Sequence, residues 1–277
     1  MPRLPADLRD TVARALAEDV GRGDVTAILV PEDDDASAVV TSREHAVLAG
    51  EPWFDEVFLQ VSDGAAQVNW MARDGDVVRP NQMLCTIDGR ARHLLTAERT
   101  ALNFLQTLSG TATITRHYVK RVQGTAARIL DTRKTVPGLR TAQKYAVACG
   151  GGTNHRMGLY DAVLIKENHI AAAGSITAAV ADARRKLSNQ TVEVEVEDLA
   201  QLREALASDV DRILLDNFSV EDLARAVAIS GGRVPLEASG NVNLKTVRDV
   251  ATSGVDFISV GGITKHIHAV DLSMRFV

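Results

Sequence analysis

The first apolar residues of the chain recur at helical spacing. They stand four residues apart, at Leu8, Val12, Leu16 and Val20. Residues four apart lie on one face of a helix, and Gly21 and Gly23 follow at the point where glycine commonly ends one. The pattern therefore predicts a short amphipathic helix within residues 4–20.

Between residues 38 and 87 the pattern changes to short apolar runs separated by turn residues. The turns include Asp-Gly pairs at residues 63–64, 74–75 and 88–89. These runs predict a small sheet-rich domain. Residues 98–122 then return to helical spacing, with Thr96 as a candidate N-cap, and predict a helix that links this domain to the next.

The rest of the chain alternates apolar runs with helical patterns, and each run ends in polar residues. This alternation predicts parallel strands with crossover helices, arranged either as an incomplete barrel or as an open doubly wound sheet. In both arrangements ligands bind at the carboxyl ends of the strands. The six runs cover residues 127–131, 161–166, 191–195, 212–216, 234–238 and 255–260.

Composition restricts the class of partner. The 277 residues are 45% hydrophobic and 24% charged, so the chain can bury a sizeable core. Because the net charge is −5 and no basic run occurs, we expect neither nucleic acid nor a membrane surface as partner. Cys85 and Cys149 lie far apart, which argues against disulfides and structural zinc. Since no signal peptide is apparent, we expect a cytoplasmic protein.

Basic side chains gather where the predicted strands end. Arginine is suited to hold a planar carboxylate through two hydrogen bonds, whereas lysine acts as a point charge. A run of glycines at residues 150–152 would also let backbone N–H groups approach an anion. Each motif alone also fits an ordinary surface or structural role, but together they predict an anion site. The basic residues are Arg133, Lys134, His155, Arg156 and Lys166.

Acidic side chains accompany these cations. Residues 192–197 alternate valine and glutamate, so the two residue types lie on opposite faces of a strand. If the valines pack against helices, the glutamates face the barrel interior and need cations, a metal ion or ligand hydroxyls. Asp216 ends the next strand, and with Glu195 it could hold Mg²⁺ beside phosphate oxygens.

Glycines mark the last two strand ends. They offer backbone donors without an obstructing side chain, as in the phosphate sites of barrels; a plain turn is the alternative. The segments are Ser239-Gly240-Asn241 and Gly261-Gly262.

Taken together, these segments resemble the quinolinate phosphoribosyltransferases of the type II phosphoribosyltransferase family. The resemblance covers nearly the whole chain. The segments are GDVT (23–26), ERTALN (98–103), DTRKTVPGLR (131–140), GTNHR (152–156), LIKENH (164–169), VEVE (192–195), LDNF (215–218), EASGN (237–241) and ISVG (258–261).

The resemblance implies a two-domain α/β chain. Residues 1–107 would form an N-terminal α/β sandwich that the C-terminal segment 267–277 joins, and residues 108–266 an incomplete, seven-stranded α/β barrel. It implies a homodimer with an active site shared across the interface. It also implies that quinolinate and phosphoribosyl pyrophosphate become nicotinate mononucleotide, pyrophosphate and carbon dioxide in de novo NAD biosynthesis, with Mg²⁺ required.

The resemblance further implies residue roles. Arg99 would come from the neighbouring subunit. Thr132 would contact substrate, and Lys134 would lie where the phosphoribosyl and pyridine sites meet. The two carboxylates of quinolinate would be surrounded by Arg133, His155, Arg156 and Lys166. The ribose and the metal would face Glu195 and Asp216. The 5′-phosphate would lie against Ser239, Gly240, Asn241, Val260, Gly261 and Gly262. The catalytic residues would be Lys134, Lys166, Glu195 and Asp216.

Three other interpretations stay open. Residues 74–84 are similar to the hairpins of biotinyl and lipoyl carrier domains, but the first lysine of the chain is Lys120. A barrel glycosidase could pair Glu193 with Glu195, although the cations would then have no role. A paralogous phosphoribosyl or nucleotidyl transferase could act on another acceptor, such as nicotinate.

Overall fold

The computed structural model describes residues 2–277, and the chain divides into two compact units. Unit 1 runs from the first described residue to Arg116 and also contains Thr135–Gly151 and Ile263–Val277. Unit 2 contains His117–Lys134 and Gly152–Gly262. Nowhere in residues 2–277 is a helix long and apolar enough to cross a membrane.

The helices and strands are numbered in chain order. The helices are α1 (Leu8–Asp19), α2 (Glu51–Ser62), α3 (Ala91–Arg121), α4 (Arg140–Cys149), α5 (Glu167–Ala173), α6 (Ile176–Lys186), α7 (Leu199–Leu206), α8 (Val220–Ser230), α9 (Val247–Thr252) and α10 (Gly262–Lys265). The strands are β1 (Asp35–Ser42), β2 (Ala46–Val47), β3 (Gln67–Trp70), β4 (Val77–Val78), β5 (Met83–Arg90), β6 (Arg128–Leu130), β7 (Val163–Ile165), β8 (Val192–Val196), β9 (Arg212–Asp216), β10 (Leu236–Ser239), β11 (Phe257–Ser259) and β12 (Leu272–Phe276).

The first helix forms where the apolar spacing predicts it. Val12 of α1 is fully buried, and Leu8 and Leu16 pack, partly buried, against the same core. α1 lies against α2, whose Trp53 and Phe54 are fully buried. Burial of this apolar face stabilises the helix more than the intrinsic propensities of its residues do.

Unit 1 contains a four-stranded antiparallel sheet in the order β12-β1-β5-β3. β1 pairs with β5 on one side and with β12 on the other, from Ala38 opposite Phe276 to Ser42 opposite Leu272. The last strand of the chain therefore completes a sheet that begins near its start. β2 and β4 form a separate antiparallel pair.

α3 begins at Ala91, earlier than the pattern predicted, and Thr96 lies inside it. The N-cap prediction for Thr96 was wrong, since its hydroxyl donates a 2.9 Å hydrogen bond to Asp24 instead. α3 follows β5 directly, and the N–H of Ala91 donates to the carbonyl of Asp34 at 2.8 Å. One of the first N–H groups of the helix is thus satisfied by backbone.

In unit 2, each of the six predicted runs contains a strand, and the α/β fold class is confirmed. The strands form one parallel sheet in the order β6-β11-β10-β9-β8-β7. The described residues give this sheet six strands, where seven were predicted. Beside β6, Thr153 makes only an isolated parallel bridge to Leu130. The chain leaves the sheet there because the N–H of His155 donates to the carboxylate of Asp131 rather than to a strand.

Candidate active site

The glutamates of β8 face the interior of unit 2, as the alternation predicts. Val192, Val194 and Val196 are fully buried on the other face. Glu193 is buried, and Glu195, nearer the carboxyl end of the strand, is partly buried. Lys166 Nζ lies 2.5 Å from Glu195 Oε2, so this carboxylate has the cation that burial demands.

Asp131, directly after β6, holds the loop that carries two of the predicted cations. It is fully buried. One carboxylate oxygen accepts from the side chain of Asn154 at 2.6 Å and the other from the N–H of His155 at 2.8 Å. These bonds fix the start of the His155–Arg156 loop against the end of β6.

His155 points into the interior, and protein groups engage both of its ring nitrogens. Nε2 lies 3.0 Å from Glu193 Oε2 and 3.6 Å from Glu237 Oε2, while Nδ1 accepts the N–H of Arg156 at 2.8 Å. With Nδ1 an acceptor, the ring proton lies on Nε2. Burial alone would lower the pKa of His155, but the hydrogen bond to Glu193 and the charge of Glu237 outweigh it and raise the pKa.

Glu193 and Glu237 form a buried acid pair beneath His155. Arg212 Nη1 lies 3.0 Å from Glu237 Oε2, and its guanidinium stands 4.3 Å over the Phe257 ring. Burial, and then the charge of Glu193, raise the pKa of Glu237 to about 7. Burial would also raise the pKa of Glu193, but the hydrogen bond from His155, the charge that His155 carries when it is protonated, and the charge of Arg212 lower it. We call these four residues the buried network: Arg212, Glu237, Glu193 and His155.

Arg133 and Arg156 place two guanidinium groups close together. Arg156 Nη1 donates to the carbonyl of Ala162 at 3.2 Å. Burial, and then the positive charge of Arg133, lower the pKa of Arg156. Arg133 Nε is buried without a hydrogen-bond partner among residues 2–277. A buried donor without a partner next to a second cation fits an anionic ligand.

Lys134 crosses the end of β11. Its N–H donates to Thr132 Oγ1 at 3.0 Å. A Cβ placed on Gly261 would lie 2.8 Å from Lys134 Cδ. Glycine at this position therefore lets the lysine stem pass directly over the backbone.

Asn217 ties together the ends of β9 and β10. Its side chain donates to Asp216 Oδ2 at 2.7 Å and accepts from Asn241 Nδ2 at 3.3 Å, and its N–H donates to the carbonyl of Ser239 at 2.9 Å. A Cβ on Gly240, where φ is +101°, would lie 2.1 Å from Asn217 Oδ1. A side chain at this position would collide with Asn217 and strain the backbone, so the turn requires glycine.

The predicted site residues fall mainly in unit 2, at the carboxyl ends of its parallel strands. Arg99 belongs to unit 1, where it is exposed on α3. Val260 is buried, whereas Gly261 and Gly262 are partly exposed. The site residues in unit 2 are Thr132, Arg133, Lys134, His155, Arg156, Lys166, Glu195, Asp216, Ser239, Gly240, Asn241, Val260, Gly261 and Gly262.

Sequence reasoning missed Arg212, Glu237 and Asn217 as parts of the site, and considered Glu193 only for a glycosidase. The signal for Arg212 and Glu237 was a charged residue within a short, mainly apolar run. Such a charge indicates a buried ion pair only when the alignment of the neighbouring strands is known. Glu193 stands opposite Arg212 only in the assembled sheet.

Two groups of residues have the chemistry to hold a cation. Glu195 and Asp216 stand on the neighbouring strands β8 and β9, and one oxygen of each is held by Lys166 or Asn217. Such a pair fits Mg²⁺, which takes one or two carboxylates and completes its shell with water and substrate oxygens. His155, Glu193 and Glu237 also offer ligand atoms within 4.8 Å of one another, but Arg212 already neutralises Glu237.

Comparison with known proteins was made at the level of sequence and of fold. The family Quinolinate phosphoribosyl transferase, N-terminal domain, matches residues 24–109, and its C-terminal domain counterpart matches residues 111–275. A nicotinate-nucleotide pyrophosphorylase [carboxylating] of Mycobacterium leprae is 43% identical over 275 residues, covering 96% of both chains. A probable enzyme of the same name from Synechocystis is 42% identical, covering 95% of this chain and 90% of that one.

The structure of the nicotinate-nucleotide pyrophosphorylase from Francisella tularensis superimposes with a TM-score of 0.94 at 47% identity. It covers 99% of this chain and 98% of that one. Both domains match in order, and these relatives align with nearly the whole chain. The chain therefore belongs to the quinolinate phosphoribosyl transferase family.

Proposed function

We propose that this chain transfers the phosphoribosyl group of phosphoribosyl pyrophosphate to quinolinate, with loss of carbon dioxide, in NAD biosynthesis. The observation that carries the proposal is the pairing of Arg133 and Arg156, with the buried Arg133 Nε left without a partner among the described residues. Two guanidinium groups suit an acceptor with two carboxylates better than one with a single carboxylate. Family membership supports the same reaction.

The acceptor is held by Arg133, Arg156 and Lys166. The guanidinium of Arg156 is anchored by the carbonyl of Ala162, so its remaining N–H groups are oriented before the ligand arrives. Such preorganisation lowers the entropy that binding must lose and aims the pyridine nitrogen at the ribose.

The phosphoribosyl donor lies along the strand ends that carry glycine. Lys134 supplies a point charge for phosphate where its stem crosses Gly261. The turn at Ser239, Gly240 and Asn241 offers backbone N–H groups to the 5′-phosphate.

Attack of the pyridine nitrogen on the anomeric carbon breaks the bond to pyrophosphate and leaves positive charge on the ribose ring. The carboxylate of Glu195 stabilises that charge, and Lys166 keeps the carboxylate in place at 2.5 Å. The new ring nitrogen is cationic and withdraws electrons from the adjacent carboxylate bond. Carbon dioxide then leaves, its bonding electrons stay on the ring carbon, and a proton replaces it.

Mg²⁺ completes the proposal. Glu195 and Asp216 would hold it, directly or through water, and when bound it neutralises charge on the departing pyrophosphate. One observation supports a cytoplasmic setting: Cys85 and Cys149 are both free thiols, as is usual for proteins of a reducing compartment.

The most informative assay measures labelled carbon dioxide released from carboxyl-labelled quinolinate. We expect release only when both phosphoribosyl pyrophosphate and Mg²⁺ are present, with loss of activity on chelation and recovery on adding Mg²⁺. Nicotinate, as the matched acceptor, should give little or no mononucleotide. Efficient use of nicotinate without use of quinolinate would contradict the proposal.

A homodimer with shared active sites is part of the proposal. Arg99 is exposed on α3, and the neighbouring loop presents the apolar side chains of Val25, Ile28 and Leu29, which are 80%, 66% and 80% exposed. Asp24 fixes this loop by accepting from the N–H groups of Thr26 and Ala27. Exposed apolar side chains around an arginine suit burial against a second copy.

Mixing two inactive variants tests the shared site. We expect Arg99→Ala and Lys166→Ala proteins each to be inactive, and to recover activity when their subunits exchange. One site in each mixed dimer then has both native residues. Exchange confirmed by mass spectrometry without any recovery of activity would place Arg99 outside the neighbour's site.

A further inference from the structure

The segment Gly23-Asp24-Val25-Thr26 is part of the family resemblance but supplies no residue to the proposed reaction. It lies in the loop between α1 and β1. One carboxylate oxygen of Asp24 accepts the N–H groups of Thr26 and Ala27 at 2.9 and 3.0 Å, and the other accepts the hydroxyl of Thr96 at 2.9 Å. These bonds, first that from Ala27, lower the pKa of Asp24. A charged carboxylate thus ties this loop to α3.

A second acid makes the same kind of contact one turn further along α3. Asp19, the last residue of α1, accepts the hydroxyl of Thr100 at 2.9 Å. Thr96 and Thr100 stand four residues apart, so they are neighbours on one side of the helix. Arg99 lies within the turn that these two threonines bracket. The end of α1 and the loop after it are therefore held against the turn of α3 that carries Arg99.

Arg99 lines a cavity of about 410 Å³ beside this loop. Asp19 and Asp24 line the same cavity, yet within residues 2–277 neither forms an ion pair with Arg99. A carboxylate close to an arginine commonly pairs with it, but here hydroxyl and backbone donors occupy both oxygens of Asp24. The guanidinium of Arg99 is therefore left for a group outside its own subunit.

We propose that Asp24, supported by Asp19, is a positioning residue for Arg99. By fixing the loop on α3, it presents the guanidinium of Arg99 to the acceptor site of a neighbouring copy of the chain. This inference rests on the proposed function, in which Arg99 acts across the subunit interface. It gives Asp24 a role in the acceptor site of the neighbour without a contact between Asp24 and the acceptor.

Fixing the loop matters because Arg99 is exposed on its own subunit. An exposed arginine side chain samples many rotamers, and binding is weakened by the entropy lost when one of them is selected. A fixed loop beside the side chain restricts its directions before the acceptor arrives. The same loop carries Val25, Ile28 and Leu29, whose apolar side chains are largely exposed. A second copy that packs on them therefore meets Arg99 in a defined place.

The first test uses the full-length enzyme with Asp24→Ala, which removes all three contacts, and with Asp24→Asn, which keeps an oxygen for the loop N–H groups. We expect Asp24→Ala to raise the KM for quinolinate about tenfold, as for loss of a hydrogen bond to a charged group. Asp24→Asn should restore most of the affinity. The kcat should change less than the KM, since preorganisation is lost and no reacting group is removed. An unchanged quinolinate KM in Asp24→Ala would overturn the inference.

Asp76→Ala is the matched control. Asp76 is also an exposed acid in a turn of unit 1, where it accepts the N–H of Arg73 at 2.8 Å, but it does not line the cavity beside Arg99. Its replacement should leave the quinolinate KM close to that of the wild type. Melting curves of all variants record any loss of stability separately. A rise in KM as large in the control as in Asp24→Ala would overturn the inference.

Mixing of subunits gives a readout that a general structural role would not give. If Asp24 acts through Arg99, its loss damages the neighbour's site and leaves Lys166 of its own subunit intact. With quinolinate below its KM, Asp24→Ala mixed with Lys166→Ala protein should exceed the mean activity of the two parents. Asp24→Ala mixed with Arg99→Ala should stay at the mean of its parents, because no mixed dimer holds a complete site. With exchange confirmed by mass spectrometry, the opposite result in either mixture would overturn the inference.

These outcomes are separable from failure of the proposed function. If the wild-type enzyme releases no carbon dioxide from quinolinate, the reaction itself is wrong. If Arg99→Ala and Lys166→Ala proteins do not restore each other, the shared site is wrong, and the role of Asp24 falls with it. If that pair recovers activity and Asp24→Ala with Lys166→Ala does not, only the role of Asp24 is wrong.

Discussion

The two units of the chain bury different kinds of side chain. The interior of unit 1 is mainly apolar and aromatic, with Trp53 and Phe54 fully buried and the Phe54 and Phe58 rings 5.0 Å apart, although Asp74 and Lys144 are also buried in this unit. The interior of unit 2 holds Glu193 and Glu237 among its strands, in contact with the basic side chains of His155 and Arg212. An apolar interior stabilises through the area removed from water. A charged interior has to be neutralised group by group.

Comparing the two units shows which positions of a folded chain can carry functional side chains. Each strand of unit 2 still buries apolar side chains against the helices, as Val192 and Val194 do. In these strands, charged side chains occupy only the positions that face the interior and those at the strand ends. Stability and chemistry are thus separated by face within one strand of unit 2.

The largest effect on stability is expected from breaking the aromatic interior of unit 1. Phe54→Ala should lower the free energy of unfolding by about 3–5 kcal/mol, since it removes buried area and leaves a cavity. Denaturant unfolding measures this loss. Leu59→Ala on the same helix is the control, because Leu59 is 49% exposed and should cost about 1 kcal/mol or less. Equal losses from both variants would contradict the description of this interior.

The next largest effect is expected on turnover, with little change in the stability of the fold. Lys166→Ala should reduce turnover by about 100- to 1,000-fold, which corresponds to about 2.7–4 kcal/mol of transition-state stabilisation. The side chain of Lys166 is 42% exposed, so the melting temperature should change little. Steady-state kinetics and a melting curve measure the two quantities. Turnover close to that of the wild type would remove Lys166 from the site.

The smallest effect is expected from replacing a partly buried carboxyl group in unit 1, the more apolar of the two units. Asp55 accepts from Trp70 Nε1 at 2.8 Å, and burial raises the pKa of this carboxyl from 3.8 to about 6. The folded state therefore binds this proton more tightly than the unfolded state, and the group's contribution to stability declines as pH rises from about 4 to about 6. Asp55→Asn should raise the melting temperature at pH 7 by about 2–4 °C and have no effect near pH 4.

The control for this prediction is Asp182→Asn. Asp182 is an exposed carboxylate whose pKa is lowered by hydrogen bonds from Lys186 and Arg185. Its replacement should not stabilise the protein at pH 7. A gain in melting temperature for Asp182→Asn as large as that for Asp55→Asn would show that net charge, not burial, is responsible.

Much of the fold followed from local pattern. The first helix and the six strands of unit 2 were predictable because apolar periodicity reports burial directly. Thr96 was misassigned as an N-cap because the actual start of α3 depends on the carbonyl of Asp34, which is remote in sequence.

The candidate site, like the fold, could be predicted from the sequence only in part. The cations at strand ends were visible in the sequence because the carboxyl ends of parallel strands meet at one edge. The contact of Arg212 with Glu237, and the placing of both beneath His155, depend on how β8, β9 and β10 are aligned with one another. Alignment of strands is set by packing and is not written in the spacing of any single segment.

The pairing of β12 with β1 has a consequence for synthesis on the ribosome. Both segments of unit 2 leave the ribosome before Leu272, so its parallel sheet can begin to pair before β12 emerges. The sheet of unit 1 cannot close until Phe276 has emerged, although most of that unit is made first. During that interval the edge of β1 is open to pairing with other chains, and a chaperone that covers it would favour a high yield of folded enzyme.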